Sequence, residues 1–386
     1  MGSNGRYDVI IIGAGSVGAP TAFSLAGAGI KTLVIDKNAS VGQGASKAAI
    51  GGIRATHSDV AKIRTSLKSI EIFSQWEENY GDNIEWYQGG YSFVAYQERE
   101  EKVLKDLIKV QQSYGLDINW LDKDDLLEVV PDLNRNGLIG GTFSPGDGSA
   151  SPLLATYGFY RRGVEKGAEY RFLESVEEIV RDKDKVKGVV TDKGKYEAPI
   201  VINASGASAK KVAQMAGLDV PVKPDSHEAG VTEPVAHFLK PMIVDIRPSK
   251  GSANYYFYQH RTGQLIFCIT PDPPILGTDR RETSEFLPMI SRRMVDVMPK
   301  LKNIKVRRTW RGLYPMTPDA SPIVGRVKEV DGYINAVGMC GQGFMLGPGL
   351  ANLLVRVVQN ELTEDDEEVL AKFSAYREFA GMEKLK

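Results

Sequence analysis

The residues Gly13-Ala14-Gly15-Ser16-Val17-Gly18 have the G-x-G-x-x-G spacing that folds backbone around a pyrophosphate. The first glycine permits the tight turn, the second lets phosphate oxygens approach the main chain, and the third lets helix and strand pack closely. The helix that follows would aim free N–H groups and the positive end of its dipole at the phosphates. Asp36, at the end of the next predicted strand with Lys37 beside it, can accept hydrogen bonds from ribose hydroxyls. The acid suits NAD and FAD equally, so this motif alone leaves the dinucleotide open. Two later stretches are rich in small residues. Val201-Ile202-Asn203-Ala204-Ser205-Gly206-Ala207 taken alone reads as a buried strand and a turn. In Gly338-Met339-Cys340-Gly341-Gln342-Gly343-Phe344-Met345 the dense glycines let backbone pass close to something flat or charged, and a helix starts just after them. Along Asn254–His260, Tyr256, Tyr258 and His260 share one strand face. They read either as an aromatic cage that orients an amine or as a half-buried sheet edge. The sequence shows no Ser-His-Asp arrangement, no H-E-x-x-H, no Walker lysine and no metal-ligand cluster.

These groups need elements to hold them. The run Tyr7–Ile12 predicts a strand buried on both faces, Ala19–Ala28 a helix, and Thr32–Ile35 the second strand. Helical periodicity covers 61–80, 98–114, 152–168, 284–300 and Gly347–Gln359. Strand patterns fall at Gly89–Tyr96, Glu174–Val180, Val186–Thr191, Ile200–Ala204, Ala253–Tyr258, Gln264–Ile269 and Tyr333–Gly338, with a proline-rich break at Thr270–Ile275. Nucleotide-type signals at the start, middle and end imply a discontinuous α/β (α+β overall) architecture. It has a Rossmann-like cofactor domain (6–60, 145–215 and 318–386) and an inserted substrate-binding domain (61–144 and 216–317) built on a mostly antiparallel sheet.

Bulk composition narrows the partners. In 386 residues, 42% are hydrophobic and 25% charged, and the net charge of −1 points to neither nucleic acid nor an anionic membrane. The two cysteines, Cys268 and Cys340, are too far apart and too few for a disulfide framework or structural zinc site. No apolar run is long enough for a membrane span, so a cytoplasmic protein is expected. Met1–Gly5 is read as a disordered lead and set aside.

Four stretches together resemble the D-amino-acid oxidase superfamily of flavoproteins over nearly the whole chain. They are Tyr7–Gly18, Ser46–Arg54, Trp310–Arg326 and Gly338–Phe344. The likeness is strongest to sarcosine oxidase β subunits, archaeal proline dehydrogenase β subunits and dimethylglycine dehydrogenases. The resemblance implies an extended FAD. Its diphosphate would lie on Gly13–Gly18, including Ser16 and Val17, and its ribose on Asp36 and Lys37. Ser46 and Lys47 would lie along its middle and the backbone of Val176 would meet the adenine, with Gly51, Gly52, Ala204, Ser205, Gly206 and Gly312 also contacting the cofactor. Gly338 and Gly341–Met345 would meet the isoalloxazine. Arg54 matches an arginine that binds the substrate carboxylate, and a guanidinium has the planar fork for it; the other reading is an exposed loop arginine. His57 is expected as a surface loop histidine, with lining the site as its second reading.

Departures from the family pattern shape the rest. Relatives that attach FAD covalently do so through a cysteine where this chain has Gly312, so FAD is expected to be non-covalent, and Cys340 is read as a small packed side chain. Met345 and Tyr314 stand where relatives place cations that hold the substrate acid, and Ile266 falls where monomeric sarcosine oxidases have an oxygen-activating lysine. The expectation is therefore a dehydrogenase for a secondary or N-methyl amino acid, sarcosine- or proline-like, with hydride passing from the amine-bearing carbon to flavin N5. Arg54, Tyr256, Tyr258, His260, Tyr314 and Gln342 would form the substrate side. The alternatives are an oxidase of glycine- or sarcosine-type substrates, a dehydrogenase of a hydroxy acid or polyol phosphate, and a structural flavoprotein subunit of a larger complex. A partner subunit or separate electron acceptor, in a homo- or hetero-oligomer, goes with the β-subunit likeness.

Overall fold

The computed structural model describes residues 5–381 and 383–385. Of the lead expected at Met1–Gly5, all but Gly5 lies outside the described residues.

Every side chain of the strand Val9–Ile12 is buried, which fits a place in the middle of a sheet covered on both faces. That six-stranded sheet runs in the order Ile323–Arg326, Tyr333–Val337, Ile200–Asn203, Val9–Ile12, Thr32–Asp36, Glu169–Phe172. All pairs are parallel except the first, where Ile323 lies opposite Val337. Val9 and Ile11 face a core shared with helices Gly18–Gly27, Pro152–Glu165 and Gly343–Gln359. Ile10 and Ile12 face the three-stranded antiparallel sheet of Val176–Asp182, Lys185–Thr191 and Lys195–Glu197, with helix Ala209–Met215. Ile12 is in register with Ile35 and Asn203, so Gly13, Asp36 and Ala204 emerge together at the strands' carboxyl ends, where open α/β sheets bind ligands.

The second large sheet has eight strands: Val306–Met316, Lys223–Pro234, Gln264–Asp272, Gly251–Gln259, Met242–Asp245, Tyr91–Ala95, Gly140–Ser144 and Asn119–Asp122. Only the pair Met242–Asp245 with Tyr91–Ala95 is parallel. Tyr255, Phe257, Leu265, Phe267 and Ile269 pack with Phe286 and Ile290 of helix Phe286–Val297. By the two-residue alternation of strands, Asn254, Tyr256 and Tyr258 face the other way, opposite Thr270, Cys268 and Ile266.

Several elements depart from the sequence expectation. The stretch 61–80 forms two helices, Val60–Ser74 and Trp76–Tyr80, hinged at Gln75. Helix Val60–Ser74 starts on the Asp59 side-chain cap and docks on Gly343–Gln359, where the Gly349 N–H donates to Ser69 Oγ. The expected helix over 284–300 ends at Val297 and tightens into a 3₁₀ turn at Pro299–Asn303. The strand expected to stop before Thr270 continues to Asp272, because Ser252 and Gly251 still pair with it. The last long helix begins at Gly343 rather than Gly347, so part of the glycine-rich turn is its first helical turn, and Pro348 falls inside the helix, past that first turn. Among the described residues, no helix is long and apolar enough to cross a membrane.

Candidate active site

A cavity of about 740 Å³ opens between the two large sheets, within the size range of cofactor and substrate clefts. At one end the three glycines of the turn do different work. A Cβ on Gly13, whose φ is +108°, would collide with the Ala204 carbonyl, and one on Gly18 would collide with the Gly13 carbonyl. These two positions are closed by chain packing. A Cβ on Gly15 would meet only Ser46 Oγ at 3.4 Å, so this glycine leaves space at the cavity wall. The Ser16 N–H donates to Ser46 Oγ at 3.0 Å, and helix Gly18–Gly27 begins without a side-chain cap. Asp36 braces the same turn: its Oδ2 accepts from Ala14 N at 2.8 Å and its Oδ1 from Asn38 N at 2.8 Å. Val17, Lys37, Val176, Ala204, Ser205 and Gly206 complete this end.

At the other end Gly341, with φ of +83°, has the Tyr314 ring packed where a Cβ would stand. Gln342, Gly343, Phe344 and Met345 continue the wall as the start of helix Gly343–Gln359, which has no side-chain cap. Gln342 Oε1 and Asn254 Oδ1, both from wall residues, are buried acceptors without a hydrogen-bond partner. Such atoms call for a bound molecule with donors of its own. FAD fits both ends: a diphosphate beside Gly15 and the uncapped helix, and a ring with N–H donors beside Gln342. Gly312 is on the wall with no reactive side chain, and a Cβ there would stand 2.8 Å from the Ala48 Cβ. The Cys340 thiol donates to the Gly338 carbonyl at 3.0 Å and accepts from Thr317 N at 3.4 Å.

Arg54, expected on the substrate side, is buried rather than an exposed loop residue and lines the cavity. Strand Gly52–Ile53 delivers it to the cavity, with Gly51 and Gly52 also on the wall. Its Nη1 donates to the Thr56 carbonyl and lies 3.2 Å from His57 Nδ1, while its Nη2 donates to the Leu385 carbonyl at 2.7 Å. Asp147 holds this segment in place, accepting from Ala55 N and from Thr56 Oγ1, each at 2.8 Å. Burial pushes its carboxyl up to about 6 against the pull of those two bonds. His57 is not the surface histidine the sequence led us to expect. It is fully buried, 3.2 Å from Ser66 Oγ, and folded in by Arg54 and the start of helix Val60–Ser74. Burial first, and the Arg54 charge second, hold its imidazole well below the ordinary value, so it is neutral.

Tyr256 and Tyr314 both line the cavity, their hydroxyls 2.9 Å apart. Burial pushes both phenols well above their usual range, which keeps them protonated as donors. His227 stacks on the Tyr314 ring with centroids 3.7 Å apart and lies 3.2 Å from the Asp225 carboxylate. Tyr258 is not on the wall; its hydroxyl donates to the Ile50 carbonyl at 2.6 Å and so fixes a wall segment from behind. His260 lies past the end of its strand, beside Thr262 at 2.7 Å and Glu85 at 3.4 Å, and does not join the cavity. Gly18, Gly338 and the exposed Lys47 also stand off the wall. Among the wall residues that went unread in the sequence are Tyr91 and Phe93, Asn254, Glu174 and Leu385. Asn254 had a visible signal, because it precedes Tyr256 by one full strand period.

Residues 8–357 match the model of the family described as FAD dependent oxidoreductase, DAO. L-proline dehydrogenase from P. horikoshii has a TM-score of 0.90 and 31% sequence identity, covering 96% of this chain and 97% of that one. Glycine oxidase of Geobacillus kaustophilus is 27% identical over 381 residues, which is 96% of this chain and 97% of that protein. Mitochondrial dimethylglycine dehydrogenase of Mus musculus is 27% identical over 375 residues; these are 90% of this chain but only 42% of that protein's length. With the family match spanning nearly the whole chain and a cavity that fits FAD at both ends, the chain belongs to the DAO family of FAD-dependent oxidoreductases.

Proposed function

We propose that this chain is an amino-acid dehydrogenase that oxidises a secondary or N-methyl amino acid, sarcosine- or proline-like, to its imine. The observation that carries this reading is the convergence of a buried guanidinium, Arg54, and a paired set of phenols, Tyr256 and Tyr314, on the wall that also holds Gly341–Met345. Arg54 binds the substrate carboxylate. The Tyr256–Tyr314 pair and Asn254 orient the amine end, and the aromatic wall of Tyr91 and Phe93 excludes water from the reacting carbon. Bound FAD, held without a covalent link, supplies the acceptor for the hydride lost from that carbon. No strong base is required of the protein if the amine arrives neutral, and the neutral His57 next to Arg54 adds no competing charge. Water then hydrolyses the imine, or a cyclic imine leaves intact.

A dehydrogenase is favoured over an oxidase because the sheet face beside Tyr256 carries Ile266, Cys268 and Thr270, and Met345 stands on the helix side. None supplies an ammonium to stabilise superoxide. The similarity to an L-proline dehydrogenase at 31% identity supports the same side. The segments 6–60, 145–215 and 318–386 are read as the cofactor-binding unit and 61–144 and 216–317 as the substrate-binding unit.

The test is anaerobic mixing of the flavin-loaded protein with sarcosine, L-proline, glycine and D-alanine in turn. Rapid bleaching of the flavin band by a secondary amino acid is expected, with slow recovery on admitting air. Bleaching only by the primary amino acids, or by none of the panel, would overturn the assignment.

A further inference from the structure

The segment Glu383–Leu385 closes on Arg54 from far along the sequence. Leu385 is 2% exposed and packs in the apolar cluster of Tyr91, Phe93, Met242, Val244 and Tyr258. Its carbonyl accepts a hydrogen bond from Arg54 Nη2, while Nη1 is already engaged with Thr56 and His57. Glu383 anchors the segment. Its Oε1 accepts from Ser58 N at 2.8 Å and Ser58 Oγ at 2.6 Å, and its Oε2 accepts from Lys62 Nζ at 3.1 Å. Burial opposes the Glu383 charge, but the Lys62 ammonium, with Arg54 and the Ser58 hydrogen bonds, outweighs it and holds the carboxyl well below its usual range. The Lys384 N–H donates to Ser58 Oγ at 3.0 Å and the Leu385 N–H to Glu383 Oε1 at 3.2 Å. A carboxylate that approaches the Nη2 side of the guanidinium therefore meets a protein carbonyl already in place.

We propose that Glu383–Leu385 is an internal occupant of the acid-binding site, and that a substrate's carboxylate gains Arg54 by displacing the Leu385 carbonyl; this rests on Arg54 as the acid-binding group. The exchange has a clear direction. A buried guanidinium left without an acceptor is strongly unfavourable, so the carbonyl satisfies it between turnovers. An anion makes the stronger, charge-assisted bond and can replace it, whereas a neutral amine cannot. The segment thus acts as a specificity-determining element that admits amines only when they carry an acid. Acid binding and segment docking oppose each other, and by linkage each weakens the other by the same factor.

The probe is pyrrole-2-carboxylate, a planar aromatic acid with no saturated C–H beside its nitrogen to oxidise, titrated into flavin-loaded protein and read from the flavin absorbance. A chain ending at Gly381 should bind it about fivefold tighter or more. Leu385→Gly in the full chain, which weakens docking without removing Glu383, should shift affinity the same way if the shortened chain fails to fold. In the unaltered protein, saturating acid should speed hydrogen exchange at the amides of Lys384 and Leu385. Unchanged or weaker acid binding in these variants, or exchange at those amides that ignores the acid, overturns the proposal. Arg54→Met separates the two ideas: if it weakens acid binding, the acid-binding reading stands whatever the segment does. If it leaves acid binding intact, that reading falls and the exchange falls with it.

Discussion

The hydroxyls of Tyr256 and Tyr314 meet at 2.9 Å although two whole strands, Lys223–Pro234 and Gln264–Asp272, run between theirs. Three interstrand steps amount to roughly 14 Å of sheet. The two rings must lean together over their in-between neighbours, Cys268 opposite Tyr256 and Asp225 opposite Tyr314. Burial pushes the Cys268 thiol up to about 11, so the floor on the Tyr256 side of the pair is uncharged. The pair therefore ties two separated strands of the eight-stranded sheet together across the cavity.

Removing one hydroxyl should leave the other short of a partner. Tyr256→Phe and Tyr314→Phe are each expected to cost about 1–2 kcal/mol of stability. The double variant should cost less than the sum, because the second change removes the stranded group. Denaturant unfolding of all four proteins measures this, and strict additivity would remove the coupling.

The glycine turn separates packing from ligand clearance. Gly15→Ala should fold with stability within about 1 kcal/mol of the parent, since its Cβ would face only Ser46 Oγ at 3.4 Å, yet be purified with little or no FAD. Gly18→Ala should unfold at markedly lower temperature, since its Cβ would strike the Gly13 carbonyl. Flavin-to-protein absorbance and melting curves distinguish the two. A flavin-replete Gly15→Ala protein would show that the pyrophosphate does not approach there.

Arg54→Met should raise KM for an amino acid by about 10- to 100-fold, the loss of a charge-assisted hydrogen bond of about 1.5–3 kcal/mol. Steady-state kinetics check it. A variant with an unchanged KM and a reduced kcat would reassign Arg54 from binding the acid to the chemical step.

Asp147 gives a pH signature of definite sign. Burial raises its carboxyl from 3.8 to about 6, so the folded protein binds the proton more readily than the unfolded chain does. Its contribution is fully present below 3.8 and is lost as pH climbs through 6. The loss is on the order of 3 kcal/mol. Asp147→Asn should flatten that slope while disturbing Ala55 and Thr56, hence Arg54, with a rise in KM. Unfolding by urea between pH 4 and 7 would show the slope, and an equal slope in both proteins would assign it elsewhere.

The six-stranded sheet was legible because its signals are local. Val9–Ile12, Ile200–Asn203 and Tyr333–Val337 are apolar runs buried on both faces, and the glycine spacing marks the turn they feed. The two longest strands of the other sheet, Lys223–Pro234 and Val306–Met316, escaped notice. They are rich in charged residues, proline and glycine, and are held by pairing to each other, from Lys223 opposite Met316 to Thr232 opposite Val306. His57 was misplaced for a similar reason. What buries it comes from Ser66 and, far down the chain, Glu383, which stands 4.0 Å from its ring nitrogen. The Asp147 brace on Ala55 and the Leu385 contact to Arg54 span 92 and 331 positions, distances at which one sequence carries no pattern.

The order of strands in the six-stranded sheet has a consequence for biosynthesis. Its central strand, Val9–Ile12, leaves the ribosome first, but Tyr333–Val337 and the turn at Gly341–Met345 arrive only after the whole eight-stranded sheet has been made. A nascent chain through Met316 has the glycine turn at Gly13–Gly18 but lacks Gly341–Met345, which line the opposite end of the same cavity. The cavity is complete only once that last segment has been made. A product truncated before residue 333 keeps an apolar, unclosed sheet edge at Ile200–Asn203 that quality-control proteases and chaperones can recognise.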